Sequence, residues 1–294
     1  MPLTNSGQIS LSDIAGEYGG SVPHQLSEYH GKGNAPSSGE IQLAADFYGT
    51  ANTYDIQYLI VAGGGGGAGS SDNANGAGAG GAGGYRALTA TLTAGSGGMA
   101  VTIGAGGAGN GIPWYVGNGA SSGGNSSFNG NSSTGGGGGG GIRAGYSGGS
   151  GGGGGHRRNN QNGPHGGGSG NAGGYTPSEG ADGASASTYG NYHNSYKGRR
   201  GNGGAGGNLG TSDRTWLNGT AYAQGGAVDN GGGGSANTGD GGHSRYQSYG
   251  NGTTGGSGVV IIRYAGSQRG SGGTVTSSGG YTYHQFNSSG TYTP

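Results

Sequence analysis

Alternating apolar and polar residues predict β-strands in the first third of the chain. Residues 54–58 alternate and run into an apolar stretch at 59–61, and residues 88–93 alternate Leu or Ala with Thr. After turn residues at 95–98, apolar residues return at every second position over 99–103. Because strand side chains point alternately to opposite faces, this spacing predicts strands, and it predicts that the last two form a hairpin.

A second group of strands is predicted far along the chain. Residues 259–264 (VVIIRY) form an apolar run, residues 274–276 and 281–286 flank a Ser-Ser-Gly-Gly turn, and residues 291–293 follow another turn. The two groups contain about seven short strands and lie on both sides of residues 104–257. We expect them to pair into one small β-sandwich base that is interrupted by a long insertion.

Short helices are predicted only in residues 1–50, which also contain an internal repeat. The sequence SGQISL at 6–11 returns as SGEIQL at 38–43. Ser10 or Ser21 suits a helix N-cap, with glycine as the stop signal. The candidate core residues are Leu11, Ile14, Tyr18, Leu26, Tyr29, Leu43 and Phe47. So small a core is marginal alone, which predicts a docking or oligomerisation module that a partner stabilises.

Glycine changes this picture, because it makes up 87 of the 294 residues. Leu, Ile, Val and Phe together are only about a tenth of the chain, which alone predicts disorder. The net charge, however, is zero, whereas disordered chains usually combine low hydrophobicity with high charge. Glycine runs can instead form extended threefold helices that pack side by side and hydrogen-bond through their backbones. We therefore expect a mainly β protein with a polyglycine-II-like helix bundle.

The glycine runs alternate with segments rich in Tyr, Trp, Asn, Arg and His, which we expect to form loops at the ends of the bundle. Aromatic and arginine side chains on a rigid scaffold are typical of binding surfaces. Capping of the bundle or sealing of a subunit interface explains the tryptophans and several tyrosines equally well. The candidate ligand-binding residues are Trp114, Tyr115, Arg157, Arg158, Tyr189, Tyr192, Tyr196, Arg199, Trp216 and Tyr246.

Composition argues against several other classes of protein. Seven prolines and an unbroken glycine run at 135–141 exclude collagen, and the longest apolar runs are far shorter than the roughly 20 residues of a membrane-spanning helix. Cysteine is absent, the seven histidines lack metal-ligand spacing, and balanced charge argues against a nucleic-acid partner. The G-x-S-x-G match at 145–149 lacks an α/β context. We expect neither enzymatic activity nor a metal or cofactor.

Several anchor motifs resemble the glycine-rich domain of tail-fibre and virion structural proteins of tailed bacteriophages, including cyanophages. They are residues 58–67 (YLIVAGGGGG), 101–107 (VTIGAGG), 258–264 (GVVIIRY) and 286–292 (FNSSGTY). Residues 6–14 (SGQISLSDI) resemble a module at the start of such proteins. The glycine tract also resembles the polyglycine-helix adhesins at the tips of some phage tail fibres, whose loops bind the host.

This resemblance implies a four-part organisation. Residues 1–50 would dock to other virion or tail proteins, and residues 51–103 would begin the β base. Residues 104–257 would form the glycine-rich bundle with its display loops, and residues 258–294 would complete the base. In the family the Ser-Ser-Gly-Thr hairpin precedes the Tyr-Leu-Ile-Val-Ala strand, whereas here residues 286–293 follow it. This hairpin therefore either folds onto its own sandwich or complements a neighbouring subunit.

The function that the resemblance implies is host attachment by a tail-fibre tip or related appendage that binds a bacterial surface polysaccharide or an outer-membrane protein. We expect a homotrimer, with a single copy on a trimeric fibre as the alternative. The first residues (MPLTN) show no signal-peptide pattern, so we expect synthesis in the host cytoplasm and release by lysis. The alternative is a purely structural virion subunit, such as a capsid decoration protein. A polysaccharide depolymerase would need paired carboxylates, and an ice-binding protein would need a flat face without bulky loops.

Overall fold

The computed structural model of the protein describes residues 2–69, 76–111, 119–155, 165–186, 215–228, 232–245 and 250–294. Within these ranges, helices occur only in the first 50 residues. They are α1 (Leu11–Tyr18), a 3-10 helix (Leu26–Tyr29) and α2 (Leu43–Phe47).

The first helix begins and ends as the sequence predicts. The Asp13 N–H donates to the Ser10 hydroxyl at 3.2 Å, and the Ser10 N–H donates to the Asp13 carboxylate at 2.8 Å, which forms a capping box. The hydrogen bonds from Ser10 lower the pKa of Asp13. Gly19, at a φ of +73°, ends the helix. Ser21 caps no helix, because the following 3-10 helix begins after Gln25.

The core of the N-terminal module is small and largely as predicted. Ile14, Tyr29 and Phe47 are fully buried, with the Tyr29 and Phe47 rings edge to face at 6.2 Å. Leu11, Tyr18 and Leu43 pack partly against this cluster. The prediction for Leu26 is wrong: it is 40 % exposed, because the 3-10 helix turns Tyr29 rather than Leu26 onto Phe47.

The rest of the regular structure is β. The strands, in chain order, are β1 (Thr53–Val61), β2 (Tyr85–Thr93), β3 (Met99–Thr102), β4 (Ser126–Phe128), β5 (Asn131–Ser133), β6 (Val259–Ala265), β7 (Thr274–Ser278), β8 (Tyr281–Phe286) and β9 (Gly290–Tyr292). They form a five-stranded antiparallel sheet, β2-β1-β6-β8-β7, and a four-stranded antiparallel sheet, β5-β4-β3-β9. The described chain is therefore mainly β, as expected.

The two sheets share one hydrophobic core. Ile56, Ile60 and Ile262 of the five-stranded sheet pack with Val101 and Phe128 of the four-stranded sheet. Of these residues, Ile56 and Val101 occupy alternate positions that the sequence pattern assigns to a buried face.

The predicted hairpin between residues 88–93 and 99–103 is wrong. β2 pairs with β1, whereas β3 pairs with β4 and β9. Leu92 and Val101 both lie in the shared core. The turn between the two strands therefore carries the chain from one sheet to the other instead of joining neighbours.

The hairpin of β4 and β5 lies inside residues 104–257, where the sequence pattern predicts no strand. Asn129 and Gly130 form its turn with φ values of +51° and +70°, which suits the Asn-Gly pair of a type I′ turn. Phe128 is buried edge-on to Tyr58 at 5.3 Å. Three-residue strands are too short for periodicity to reveal.

The last strands pair within their own chain. β8 lies between β6 and β7, and β9 pairs with β3. On β8, His284 is fully buried; its Nδ1 bonds to the Gly272 carbonyl and its Nε2 to the Tyr264 hydroxyl, both at 2.8 Å. This burial lowers the pKa of His284. Of the two expected arrangements, the structure has the one in which the closing hairpin folds onto its own sandwich.

Residues 62–68, the central segment, continue directly from β1 and bond to their neighbours through the backbone. Their N–H groups donate, at 2.8–3.1 Å, to three antiparallel segments in threefold order. Gly63 and Gly66 donate to residues 119–125, Gly64 and Gly67 to residues 252–258, and Gly65 and Ala68 to residues 76–84. Every third residue therefore faces the same neighbour.

The carbonyl groups of the central segment follow the same order with three parallel neighbours. They accept N–H groups from residues 135–141, 104–111 and 239–245. A Cβ atom placed on any glycine at 63–67 would lie 2.0–2.2 Å from a backbone oxygen. The neighbouring backbones thus approach so closely that a side chain has no room.

Candidate functional site

The glycine-rich segments have one end next to the sheets and another end away from them, which we call the far end. Six internal ranges separate the described parts of the chain. The residue that precedes each of these ranges lies at the far end. The central segment leads from β1 to Gly69, whose backbone lies against Asn110 and Gly250. The Arg245 N–H donates to the Ala68 carbonyl at 3.4 Å. Four chain segments therefore meet at this end.

Further segments reach the far end in the same way. The His165 N–H donates to the Gly155 carbonyl at 3.2 Å, and the Ala186 N–H donates to the His165 carbonyl at 2.9 Å. Val228 forms a parallel bridge with Ser244. The residues that precede the six ranges are Gly69, Gly111, Gly155, Ala186, Val228 and Arg245.

Nine of the ten candidate ligand-binding residues lie outside the described residues, so their roles stay predictions. They are Trp114, Tyr115, Arg157, Arg158, Tyr189, Tyr192, Tyr196, Arg199 and Tyr246. The tenth, Trp216, is described and lies at the opposite end of the glycine-rich segments, next to the five-stranded sheet.

Trp216 belongs to a tight turn, residues 215–221, which we call the Trp216 turn. The Trp216 N–H donates to the Thr220 carbonyl at 2.9 Å, and the Gly219 N–H donates to the Trp216 carbonyl at 2.8 Å. The indole is only 5 % exposed and packs edge-on to Tyr283, with ring centroids 6.4 Å apart. The buried ring packs the turn against the outer face of the five-stranded sheet. This position suits a packing role for Trp216, the alternative to ligand binding given above.

An arginine on β6 connects this turn to the sheet. The Arg263 guanidinium lies 4.2 Å from the centroid of the Tyr281 ring and 6.0 Å from that of Trp216, which are cation–π distances. Its Nε donates to the Gln57 Oε1 at 2.8 Å, and its Nη1 donates to the Tyr283 hydroxyl at 3.2 Å. The sequence pattern did not single out Arg263, because its partners come from strands far apart in the chain.

A cavity of about 250 Å³ opens between the Trp216 turn and the hairpin of β7 and β8. Its residues come from the turn and from three strands, and at its rim Leu217 is 50 % exposed. Among the described residues, the lining carries no carboxylate, ammonium, guanidinium or imidazole group. The lining residues are Leu217, Asn218, Ile261, Thr276, Ser278, Tyr283 and Gln285.

Glu179, one of the few carboxylates in the glycine tract, is fully buried and satisfied by hydrogen bonds. One oxygen accepts from the Ser133 hydroxyl at 3.0 Å and from the Thr134 N–H at 2.8 Å, and the other accepts from the Gly173 N–H at 3.2 Å. The carboxylate therefore ties the surrounding loop to the end of β5.

Neither a metal-binding cluster nor a membrane-spanning helix occurs among the described residues. In the described ranges, His, Asp and Glu side chains form no group of three or more that is placed to hold a metal ion. In the same part of the chain, each helix is too short or too polar to cross a bilayer.

Comparison with known proteins gives one match. A family model described as a glycine-rich domain matches residues 38–265, which is more than three quarters of the chain. No curated protein and no solved structure matches the sequence.

Proposed function

Because the chain belongs to the glycine-rich domain family, we propose that it is a virion protein of a tailed bacteriophage that attaches to the host surface through loops displayed on a glycine scaffold. The phage assignment is supported by the resemblance of residues 6–14 and 58–67 to phage tail-fibre proteins. The protein would act at a tail-fibre tip or a related appendage, without enzymatic activity or a cofactor.

The scaffold, in this proposal, is a bundle of polyglycine-II-type helices. Such helices have three residues per turn and no internal hydrogen bonds, so every backbone group points to a neighbouring helix. The threefold order of the hydrogen bonds around the central segment supports this assignment. A core made of backbone also explains how a chain with so few apolar residues can be ordered.

One observation carries the proposal: the six residues that precede the undescribed ranges all lie at the far end. Nine of the ten candidate ligand-binding residues belong to the ranges that follow these six residues. Tyr, Trp and Arg on a rigid scaffold suit a contact surface, because aromatic side chains supply large contact areas at low entropic cost.

The partners follow from the same proposal. The displayed residues would bind a bacterial surface polysaccharide or an outer-membrane protein. Residues 1–50 would dock to other virion proteins, and the exposed Val22, at 86 %, and Leu26 offer an apolar surface for such a contact. The chain would assemble as a homotrimer, which would bury more surface around a small core.

The proposal predicts that Arg157 and Arg158, in the range that follows Gly155, contribute to cell binding. The labelled chain is first incubated with a panel of bacterial strains to find those that it binds. We expect the double variant Arg157→Ala/Arg158→Ala to bind these cells at least about tenfold more weakly, as the loss of two contact residues would cause. Lys32→Ala, which removes an exposed positive charge from the N-terminal module, is the control and should bind normally. Unchanged binding by the arginine variant and by a matching Trp114→Ala variant would contradict the proposal.

The second candidate function is a purely structural virion subunit. The observation that favours it is the outer edge of β7, where all five residues are exposed and no described strand pairs with the free side. An unprotected edge of this kind is a surface for strand pairing between copies of the chain.

A further inference from the structure

We propose that the cavity beneath the Trp216 turn binds one neutral sugar ring. This inference rests on the proposed attachment role, but it concerns a different site, which lies next to the sheets and not at the far end. A saccharide polymer on the cell surface would then contact the protein at two places.

The lining of the cavity combines an apolar floor with a polar rim. Ile261 and Tyr283 are buried and form the floor, while Thr276 and Ser278 are exposed on the same face of β7. A pyranose ring has the complementary character, because its C–H groups form apolar faces and its hydroxyls project from the edge. Binding sites for small ligands generally have this design, with apolar walls and a few polar groups that orient the ligand.

The charges around the cavity favour a neutral sugar over an acidic one. Among the described residues, the Arg263 guanidinium contacts the lining residue Tyr283, and it is occupied by the Gln57 amide oxygen, the Tyr283 hydroxyl and the Tyr281 ring. The Tyr283 hydroxyl in turn donates to the Leu217 carbonyl at 3.3 Å. Among the described lining residues, the polar side-chain groups that remain for a ligand are hydroxyls and amides, which bind sugar hydroxyls without a charged partner.

Two amide side chains on the rim are already oriented by the protein. Asn218 donates to the Tyr222 hydroxyl at 2.8 Å and accepts from the Thr220 N–H at 3.1 Å. Gln285 donates to the Asn287 Oδ1 at 2.9 Å. Side chains held in place before binding lose less entropy when the ligand arrives.

The size of the cavity sets the size of the ligand. Its volume of about 250 Å³ is below the range of roughly 300–1,000 Å³ that is typical for drug-sized ligands. It therefore suits a single ring of a polymer, with the neighbouring rings lying over the exposed Leu217 and the edge of β7.

The test uses the whole chain and the methyl glycosides of glucose, galactose, mannose and N-acetylglucosamine, with glucuronate as the charged comparison. Saturation-transfer NMR and titration should show that at least one neutral glycoside binds with a millimolar Kd. Ser278→Ala removes one rim hydroxyl and should weaken that binding about three- to tenfold. The control, Ser277→Ala, changes the neighbouring serine on the opposite face of β7 and should bind as the wild type does.

A second pair of variants compares Thr276 with Thr274, which lies two residues away on the same face of β7. Thr276→Ala should weaken binding by a similar factor, whereas Thr274→Ala, outside the cavity, should have no effect. Absence of binding by all four neutral glycosides, tighter binding of glucuronate, or equal effects of the paired variants would overturn the proposal. Because no cells are used, the result is independent of the test of attachment at the far end.

Discussion

At the scale of the residue, glycine in the central segment is required by the positions of its neighbours. At Gly66 a Cβ would lie 2.1 Å from the Ala108 carbonyl oxygen, and at Gly67 it would lie 2.1 Å from that of His243. Neither oxygen can move without breaking hydrogen bonds of a neighbouring segment. Glycine is therefore present here for space, and not for a left-handed backbone.

We predict that Gly66→Ala lowers the free energy of unfolding by about 2–3 kcal/mol, because overpacking pushes two backbones apart. The control is Gly166→Ala in another glycine run, where the nearest atom to a Cβ is the Ser185 hydroxyl at 4.0 Å. That variant should be as stable as the wild type or more stable by up to about 1 kcal/mol, since alanine restricts the unfolded chain. Urea unfolding measures both, and equal values would show that the packing at Gly66 is not close.

At the scale of the element, β7 differs from the other strands of its sheet. Its sequence, TVTSS, contains no charged residue and no proline, and among the strands that the structure describes it pairs with β8 alone. Natural sheets usually protect such an edge with charges, proline or a bulge. Because Gly279 and Gly280 form a two-residue turn, Val275 and Ser277 are at non-hydrogen-bonded positions relative to β8. Their backbone groups therefore point to the free side.

We predict that copies of the chain associate through this edge and that Val275→Pro weakens the association at least about tenfold. Proline removes an N–H that β8 does not use, so the sheet itself should keep its stability. Val275→Thr retains the N–H and serves as the control. Sedimentation velocity over a range of concentrations measures the association. Identical profiles for the proline variant and the wild type would show that β7 does not mediate it.

At the scale of the whole molecule, the β base and the glycine-rich segments share the same stretches of backbone. β1 runs into the central segment, residues 76–84 lead into β2, and residues 252–258 lead into β6. Unfolding of one part would disturb the strands or segments that continue into the other part. We therefore expect the two parts to unfold as a single cooperative unit.

We predict that hydrogen exchange shows this cooperativity. The amides of Gly63 to Ala68 should exchange as slowly as those of β1, through global unfolding, because all six donate to neighbouring segments. The amide of Gly7, at a positive φ in the exposed N-terminal stretch, should exchange quickly and report local opening. Fast exchange in the central segment beside a protected β1 would contradict a cooperative unit.

The sequence by itself determined the parts of the fold that depend on neighbouring residues. Alternation over five or more residues identified β1 and β2, an apolar run identified β6, and a Ser-Ser-Gly-Gly turn identified the hairpin of β7 and β8. Ser10, one of two N-cap candidates, identified the start of α1. These predictions succeed because the faces of a strand and the cap of a helix are local properties.

The tertiary structure alone decided which segments are neighbours. It separated β2 from β3, added the short β4–β5 hairpin to the second sheet, and brought the Trp216 turn onto β8, where it forms the cavity. It also arranged six segments around the central one. A glycine has no side chain to mark a face or a partner, so its neighbours are selected only when the backbone hydrogen bonds of distant segments come into register.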